Sequence, residues 1–170
     1  MSLIDLMTMG KPNLELRKKI LARISEYAPQ DCFKCLRCTS GCTALKLLEL
    51  KPHEIVSLVK FGFIDELITS DIIWTCATCL KCKERCPQRA TPYDVIMMLR
   101  NLAVEQEAKV PEAHLKTVSQ ILETGLAQTE QKVITKDGKS LSREELGLPS
   151  IKYPSNMFKT VFLKALEEKI

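Results

Sequence analysis

All eight cysteines of the 170-residue chain fall in two short runs with the same spacing. The first run comprises Cys32, Cys35, Cys38 and Cys42, and the second comprises Cys76, Cys79, Cys82 and Cys86. In each run, two residues separate the first three cysteines and three residues precede the last. Pro87 follows the second run, whereas Thr43 follows the first. Because the rhythm repeats, both runs are expected to bind the same kind of group.

The spacing favours [4Fe-4S] clusters. Such a cube needs four thiolates around a small object, and one tight loop supplies three of them. In two-cluster ferredoxins, the last cysteine of each run ligates the other cluster. The predicted ligand sets are Cys32, Cys35, Cys38 and Cys86 for cluster 1, and Cys76, Cys79, Cys82 and Cys42 for cluster 2. Because this crossing ties two parts of the chain to metal, the apoprotein is expected to be poorly folded.

Two other uses of cysteine fit the pattern less well. Structural zinc takes two cysteine pairs that are usually well separated, whereas each run here places four cysteines within eleven residues. A disulfide framework is typical of small secreted proteins. The amino terminus lacks a secretory signal pattern, and no stretch approaches the roughly 18 apolar residues of a spanning helix. We therefore expect a cytoplasmic protein with reduced thiols, and zinc stays the main alternative.

Positive charge is concentrated beside the cysteines of this chain, whose formal net charge is +4. Segment 32–42 carries Lys34 and Arg37 and no acid, and segment 76–90 carries four bases against Glu84. These bases either raise the potential of an anionic cluster or form a solvated docking face, and the sequence favours both equally. Nucleic-acid binding is less favoured, because aromatic residues make up 5% of the chain and none interleaves with a basic stripe.

The elements that position the cysteines are predicted to be helices, so the expected fold class is all-α, around two clusters. Asn13 is expected to cap a helix that runs to about Tyr27, with Leu14, Leu21 and Ile24 on one face. Three helical segments are expected to join the runs: 44–50, 52–61 and 64–68. Thr43 is expected to cap the first of them and to give its run a different geometry and potential. Thr91, Pro92 and Asp94 form a predicted helix start, which is a variant of the capping box.

The carboxyl-terminal part has a different character. A helix is predicted from Pro111 to about Thr124, ended by Gly125. An extended arm should follow, with an Asp-Gly turn, a short capping box from Ser142 to Glu145 and a last helix capped by Ser155. That helix places these residues on one side: Phe158, Val161, Phe162, Ala165 and Leu166. The expected domains are 1–125, which holds the clusters, and 126–170, which is expected to contact a partner protein.

No catalytic residue is predicted. All eight thiolates are committed to the two runs, and we find no Gly-rich nucleotide loop, nucleophile–base pair or carboxylate dyad in a recognisable context. His53 and His114 are interpreted as surface or hydrogen-bonded residues. The chain is therefore expected to pass electrons between partners that perform the chemistry.

Several stretches carry a resemblance to the C subunits of the CoB–CoM heterodisulfide reductase family. They are the two cysteine runs, the segment VKFGFIDELITSDIIWTCATCLKCKERCPQRATPYDVIMMLRNLA and the later LGLP. The resemblance implies an α-helical ferredoxin domain, which also resembles iron–sulfur regions of succinate dehydrogenase and fumarate reductase. It further implies that the chain transfers electrons between the flavin-containing A subunit and the catalytic B subunit, which reduces the disulfide of coenzymes M and B in methanogenesis. Hydrogenase or formate dehydrogenase modules and electron bifurcation are implied by the same family analogy.

Three functional hypotheses stay open at the level of sequence. The first is the relay of the methanogen-type reductase. The second is the same relay in a related complex of sulfur metabolism or a quinone-linked dehydrogenase. The third is a metal-stabilised binding module without a redox role, which iron and sulfide analysis with EPR would separate from the others.

Overall fold

The computed structural model describes residues 8, 10–24, 29–129, 131 and 133–167. Residue contacts divide the chain into two compact units, Met1–Val110 and Pro111–Ile170. Both cysteine runs belong to the first unit. The functional boundary expected between residues 125 and 126 stays a prediction. Among the described residues, no helix combines the length and the apolar character that a membrane span requires.

The first unit is built mainly from helices. In chain order they are α1 (Leu14–Arg23), α2 (Arg37–Ser40), α3 (Pro52–Phe61), α4 (Asp65–Thr69), α5 (Lys81–Glu84) and α6 (Pro92–Glu105). Two 3-10 turns, Pro29–Asp31 and Asp71–Thr75, end directly before Cys32 and Cys76. The repeat in the sequence is therefore matched by a repeat in structure, since each cysteine run follows a 3-10 turn and contains a one-turn helix.

Helices α3 and α6 form the centre of the first unit and pack against each other. Their buried apolar residues belong to one cluster: Ile55, Val56, Leu58 and Val59 from α3, and Val95, Ile96, Leu99, Leu102 and Ala103 from α6. Burying one such Leu, Ile or Val side chain contributes roughly 1.5–3 kcal/mol to folding. This helix pair thus supports the two cysteine runs, whose short helices pack against it.

The predicted bounds of α3 are confirmed. Pro52 occupies the first turn, where its missing N–H removes no intrahelical hydrogen bond. Glu54 Oε2 accepts a hydrogen bond of 2.6 Å from the Lys51 N–H, which satisfies a donor just before the helix. Gly62 ends the helix with a φ of 91°, a left-handed conformation that glycine adopts without steric cost.

The helix expected over 44–50 is absent from the described structure. Residues 43–47 form successive turns, in which Leu47 N–H donates to Ala44 C=O at 2.8 Å. Lys51 precedes a proline and is extended, with ψ of 155°. Ala44, Leu48 and Leu50 are nonetheless buried, whereas Leu47 of the same stretch is 76% exposed.

The predicted start of α6 is confirmed, because the helix begins at Pro92, but its predicted side-chain cap is wrong. Thr91 has φ 29° and ψ 76° instead of the extended values of a capping residue, and its buried hydroxyl has no hydrogen-bond partner among the described residues. The Asp94 carboxylate forms an ion pair of 3.0 Å with Lys83 of α5. A tertiary contact between two helices thus replaces the local capping box.

Helix α1 begins as predicted, because Asn13 Oδ1 accepts the Leu16 N–H at 3.0 Å. The expected apolar face is partly wrong: Leu16, Ile20 and Ile24 are buried, whereas Leu14 is 55% exposed. The helix ends at Arg23, and the expected end at Tyr27 lies outside the described residues.

The second unit shows that the fold class is mostly helical and not strictly all-α. Strands β1 (Val133–Ile134) and β2 (Ser140–Leu141) pair in antiparallel register, with Val133 opposite Leu141. They flank the Asp-Gly turn, where Gly138 has a φ of 78°. The sequence identifies this turn, but the strands are too short to give an alternating pattern.

Two helices of the second unit follow their predicted signals. Helix α7 (Glu112–Thr124) ends at Gly125, which has a φ of 78°. Helix α8 (Asn156–Glu167) is capped by Ser155, whose hydroxyl accepts the Phe158 N–H at 3.2 Å. The short capping box is also confirmed, since Ser142 N–H donates to Glu145 Oε2 at 2.8 Å and Glu145 N–H donates back to Ser142 Oγ at 3.3 Å.

Candidate metal centres

Two cavities in the first unit bring cysteines of both runs together. The cluster-1 cavity is lined by Cys32, Cys35, Cys38 and Cys86. The cluster-2 cavity is lined by Cys76, Cys79, Cys82 and Cys42. Their empty volumes, open mouths included, are about 350 and 420 Å³. Each cavity thus gathers three cysteines of one run and the last cysteine of the other, which is a donor set suited to an iron–sulfur cube.

Packing between short helices brings the runs to each other. The one-turn helices α2 and α5 contact each other, and they rest on α3 and α6 respectively. Gly41, which precedes Cys42, lies so close to Arg85 that a Cβ atom on it would collide with the guanidinium. This close approach joins the residue before Cys42 to the residue before Cys86, and a side chain at position 41 would require the Arg85 guanidinium to move.

Both cysteine loops repeat the same unusual backbone. Residues just before and just after the second cysteine have positive φ: Lys34 (57°) and Leu36 (65°) in run 1, and Thr78 (51°) and Leu80 (63°) in run 2. Such a conformation costs a non-glycine residue about 1 kcal/mol, so the surroundings must enforce it. A left-handed residue followed by a helical one forms a concavity of backbone N–H groups that binds anions, including iron–sulfur clusters. The residue types at these positions, Lys, Leu and Thr, do not indicate a left-handed conformation in the sequence.

All eight cysteines are free thiols and lie among the described residues, with Cys38 buried and Cys35 and Cys79 exposed. Burial raises the pKa of the Cys38 thiol, and it raises the pKa of the Cys82 thiol to about 12. Ligation requires thiolates, so loading of both cavities must release protons. No group of three or more His, Cys, Asp or Glu in the described part of the chain is arranged to hold a single metal ion.

Thr43 makes a contact that sequence reasoning missed. Its hydroxyl donates a hydrogen bond of 3.2 Å to Cys79 Sγ, which lies 36 residues away. This bond lowers the pKa of the Cys79 thiol. Thr43 does not cap a helix, since turns follow it. The only signal in the sequence is the hydroxyl residue at a position where the other run has proline.

Arg100 was also missed. From α6 its guanidinium donates to the carbonyl groups of Ile73, Trp74 and Cys76 at 2.9, 3.1 and 2.8 Å. Its Cζ lies 5.2 Å from the centre of the Trp74 ring. Partial burial lowers the pKa of Arg100, which remains a cation at any physiological pH. Arg100 therefore fixes the backbone that leads into the second run.

Two further polar residues that line the cluster-1 cavity have structural partners. His53 Nδ1 lies 2.7 Å from Thr39 Oγ1, and burial lowers the pKa of this histidine. Lys34 Nζ lies 5.8 Å from the centre of the Phe61 ring. The interpretation of His53 as a hydrogen-bonded residue is therefore confirmed.

Comparison with known protein families identifies an iron–sulfur domain in this chain. A family described as "4Fe-4S dicluster domain" matches residues 21–91. The match covers 71 of the 170 residues, and together with the eight cysteines it shows a dicluster iron–sulfur protein with two [4Fe-4S] clusters.

Relatives of known name identify the family more narrowly. The C 2 iron–sulfur subunit of CoB–CoM heterodisulfide reductase from Methanocaldococcus jannaschii is 32% identical over 91% of this chain and 77% of its own length. The C subunit of ferredoxin:CoB–CoM heterodisulfide reductase from Methanosarcina mazei is 32% identical over 73% of this chain and 76% of its own length. The C subunit of H(2):CoB–CoM heterodisulfide,ferredoxin reductase from Methanothermobacter thermautotrophicus is 30% identical over 71% of this chain, which spans 64% of that relative. The chain belongs to the family of heterodisulfide reductase C subunits.

Membership of this family establishes an iron–sulfur electron-transfer role. The relatives are subunits of an oxidoreductase complex, so this chain works together with other subunits. The expected clusters are thereby confirmed.

Proposed function

We propose that cluster 1 is held by Cys32, Cys35, Cys38 and Cys86, and cluster 2 by Cys76, Cys79, Cys82 and Cys42. The composition of the two cavities carries this proposal, because each contains one cysteine from the other run. The four cysteines of one run lie close in sequence, so a local site would have kept all four together. The contact of α2 with α5 supports the crossed sets, because Cys42 follows α2 and Cys86 follows α5 in the chain.

We further propose that the chain relays electrons from a flavin-containing subunit to the catalytic subunit of a heterodisulfide reductase complex that reduces CoM-S-S-CoB, or in the reverse direction. Bound clusters supply one-electron transfer. The protein residues hold them in place. The strained loops present N–H groups, Arg100 fixes the entry to run 2, and α3 and α6 support both cavities through the short helices that pack on them. With all eight thiols committed as ligands, no cysteine is left to attack a substrate. The chain itself is proposed to be non-catalytic.

The names of relatives support particular companions. The name of the Methanothermobacter relative includes H2 and ferredoxin as reactants of its complex. The name of a C2 subunit from Methanococcus maripaludis includes H2 or formate. That second relative is 30% identical over 70% of this chain. The proposed partners are therefore the flavin-containing A subunit, the catalytic B subunit and a hydrogenase or formate dehydrogenase module. We also propose that the complex takes part in electron bifurcation.

A paired substitution tests the crossed ligand sets. Cys42→Ser is expected to damage the cluster held mainly by run 2, and Cys86→Ser the cluster held mainly by run 1, because each serine removes one of four thiolates. Iron and sulfide content with EPR after dithionite reduction measures the loss in each variant. Each damaged signal is assigned by comparison with Cys79→Ser and Cys35→Ser.

The crossed assignment is wrong if the Cys42→Ser spectrum matches that of Cys35→Ser instead of that of Cys79→Ser. The proposed partners are tested independently by purification of the complex from its native source, followed by identification of the companion proteins. Recovery without any flavin-containing companion would contradict the relay.

A second candidate function rests on another relative. A heterodisulfide reductase protein named as C-subunit-like, from Archaeoglobus profundus, is 30% identical over 55% of this chain and 52% of its own length. The second candidate that we propose is the same electron relay in a related complex, such as one of sulfur metabolism. The same purification distinguishes the two candidates through the identity of the catalytic companion.

A further inference from the structure

The two cysteine runs differ in one hydrogen-bond donor at equivalent positions. Thr43 follows Cys42 and lines the cluster-2 cavity, where its hydroxyl lies 3.2 Å from Cys79 Sγ. Pro87 follows Cys86 and lines the cluster-1 cavity together with Cys35, which is the counterpart of Cys79. Proline has neither a hydroxyl nor a backbone N–H, so it has no group with which to donate an equivalent bond.

The direction of the Thr43 hydrogen bond follows from the chemistry of the ligand. A cysteine that binds iron is a thiolate without a proton, so its sulfur only accepts hydrogen bonds. The Thr43 hydroxyl must therefore be the donor, as the structure has it. Reduction makes the cluster and its thiolates more negative, which strengthens a bond to a donor. Hydrogen bonds to the sulfurs are one of the determinants of cluster potential, and such a bond raises it.

The contact also joins the two runs in an unexpected way. Run 1 supplies Thr43 directly after Cys42, which is the proposed fourth ligand of cluster 2, and both residues line that cavity. Cluster 1 has a donor of a different kind, since the Ala90 backbone N–H donates to Cys86 Sγ at 3.2 Å. A backbone donor persists through most substitutions, whereas the Thr43 donor depends on one side chain.

We propose that Thr43 is a potential-setting residue, which raises the reduction potential of cluster 2 through its hydroxyl hydrogen bond to the Cys79 thiolate. This inference rests on the proposed ligand sets. Run 1 then has two functions toward cluster 2: Cys42 provides a ligand, and Thr43 raises the reduction potential.

The test compares Thr43→Val with Thr43→Ser in the full chain with both clusters bound. Valine keeps the shape of threonine and removes the donor, whereas serine keeps the donor. We expect both variants to retain wild-type iron and sulfide. An EPR-monitored redox titration of Thr43→Val should show one midpoint potential shifted to a more negative value and the other unchanged. At a fixed ambient potential, the ratio of reduced to oxidised cluster should fall about tenfold, or about 59 mV for a one-electron couple. Thr43→Ser should titrate like the wild type.

Equal potentials in Thr43→Val and the wild type would overturn the proposal, and so would equal shifts in the valine and serine variants, since packing would then be the cause. Thr43→Ala is measured if the valine variant fails to hold both clusters. Loss of cluster 2 from both would also count against the proposal, because the hydroxyl would then retain the cluster and not set its potential. Failure of the crossed ligand sets is distinguishable, since the Cys42→Ser spectrum would then match that of Cys35→Ser instead of that of Cys79→Ser.

Discussion

Arg100 illustrates how a residue without any motif can fix a metal site. Its guanidinium reaches three carbonyl groups that lie 24 to 27 residues earlier in the chain. An arginine in an amphipathic helix is ordinary in sequence, so its partners become visible only when α6 is packed beside the second run. The cysteines differ in this respect, because their residue type and close spacing identify the chemistry directly.

Removal of the Arg100 side-chain donors should weaken the second run specifically. We expect Arg100→Met to destabilise the folded protein by about 2–4 kcal/mol. This is less than the sum of three hydrogen bonds from a charged donor at roughly 1.5–3 kcal/mol each, because the contacts are only partly buried and water replaces part of what is lost. Thermal unfolding and the rate of cluster loss measure the effect, and Lys18→Met removes the same charge from an exposed site. An Arg100→Met protein as stable as that control would show that the three bonds contribute nothing.

At the scale of elements, an ion-pair network ties α1 to α6. Glu105 on α6 accepts from Arg23 at 2.6 Å and from Lys19 at 3.3 Å, and both bases lie on α1. The hydrogen bond from Arg23 lowers the pKa of Glu105 below its ordinary value of 4.5. The two helices also contact through buried side chains, so the ion pairs add to a packed interface.

The Glu105 network should give a measurable dependence of stability on pH. A carboxyl with a depressed pKa contributes stability that is present above pH 4.5 and is lost as the pH falls through the lower folded-state pKa. Since Lys19 is about half exposed, we expect Glu105→Gln to lower the free energy of unfolding by only about 0.5–1 kcal/mol at pH 7. The difference from the wild type should shrink on acidification below pH 4.5.

Thermal unfolding of both proteins over this pH range provides the measurement. Glu15→Gln is the control, because its ion pair with Lys18 is largely exposed on both sides and should contribute little. A difference between wild type and Glu105→Gln that stays constant down to the lowest pH at which clusters are retained would argue against titration of Glu105.

The same scale shows where local signals fail. Helix ends at Asn13, Gly62, Gly125 and Ser155 follow from a residue and its nearest neighbours, and all four are confirmed. Thr91 and segment 44–50 carry equally good local signals, but the Thr91 hydroxyl does not cap the helix and residues 43–47 form turns. Both failures lie next to a cysteine run, where the backbone has to accommodate the cavities.

At the scale of the whole molecule, the second unit carries the proposed contact with companion proteins. Helix α8 exposes large apolar side chains, with Met157 77% and Val161 60% exposed. Phe158 and Phe162 pack on each other, with ring centres 6.1 Å apart. The predicted face member Leu166 lies outside the described side chains. Exposed apolar residues at helical spacing are typical of a surface that a partner protein covers.

Polar substitution of this face should separate assembly from cluster binding. We expect the double variant Met157→Ser, Val161→Ser to bind its companions at least tenfold more weakly, because apolar contact area is lost, while both clusters stay spectroscopically intact. Deletion of residues 126–170 should have the same two effects. Pull-down with the native companions measures the first and EPR the second, and Lys159→Ser on the same helix is the control. Unchanged recovery of companions with either variant would refute the role of this unit in assembly.

The sequence by itself determined the two clusters, the mostly helical fold and the family, because ligand type, spacing and helix periodicity are properties of neighbouring residues. The sequence did not predict the two strands of the hairpin in the second unit, since two-residue strands carry no periodicity. Only the tertiary structure decided which groups surround the sulfurs: the Thr43 hydroxyl on Cys79, the Arg100 guanidinium on the entry to run 2, and Arg85 against Gly41. These contacts join residues 24 to 44 positions apart, and such separations are closed by the packing of α3 against α6, not by any local preference of the chain.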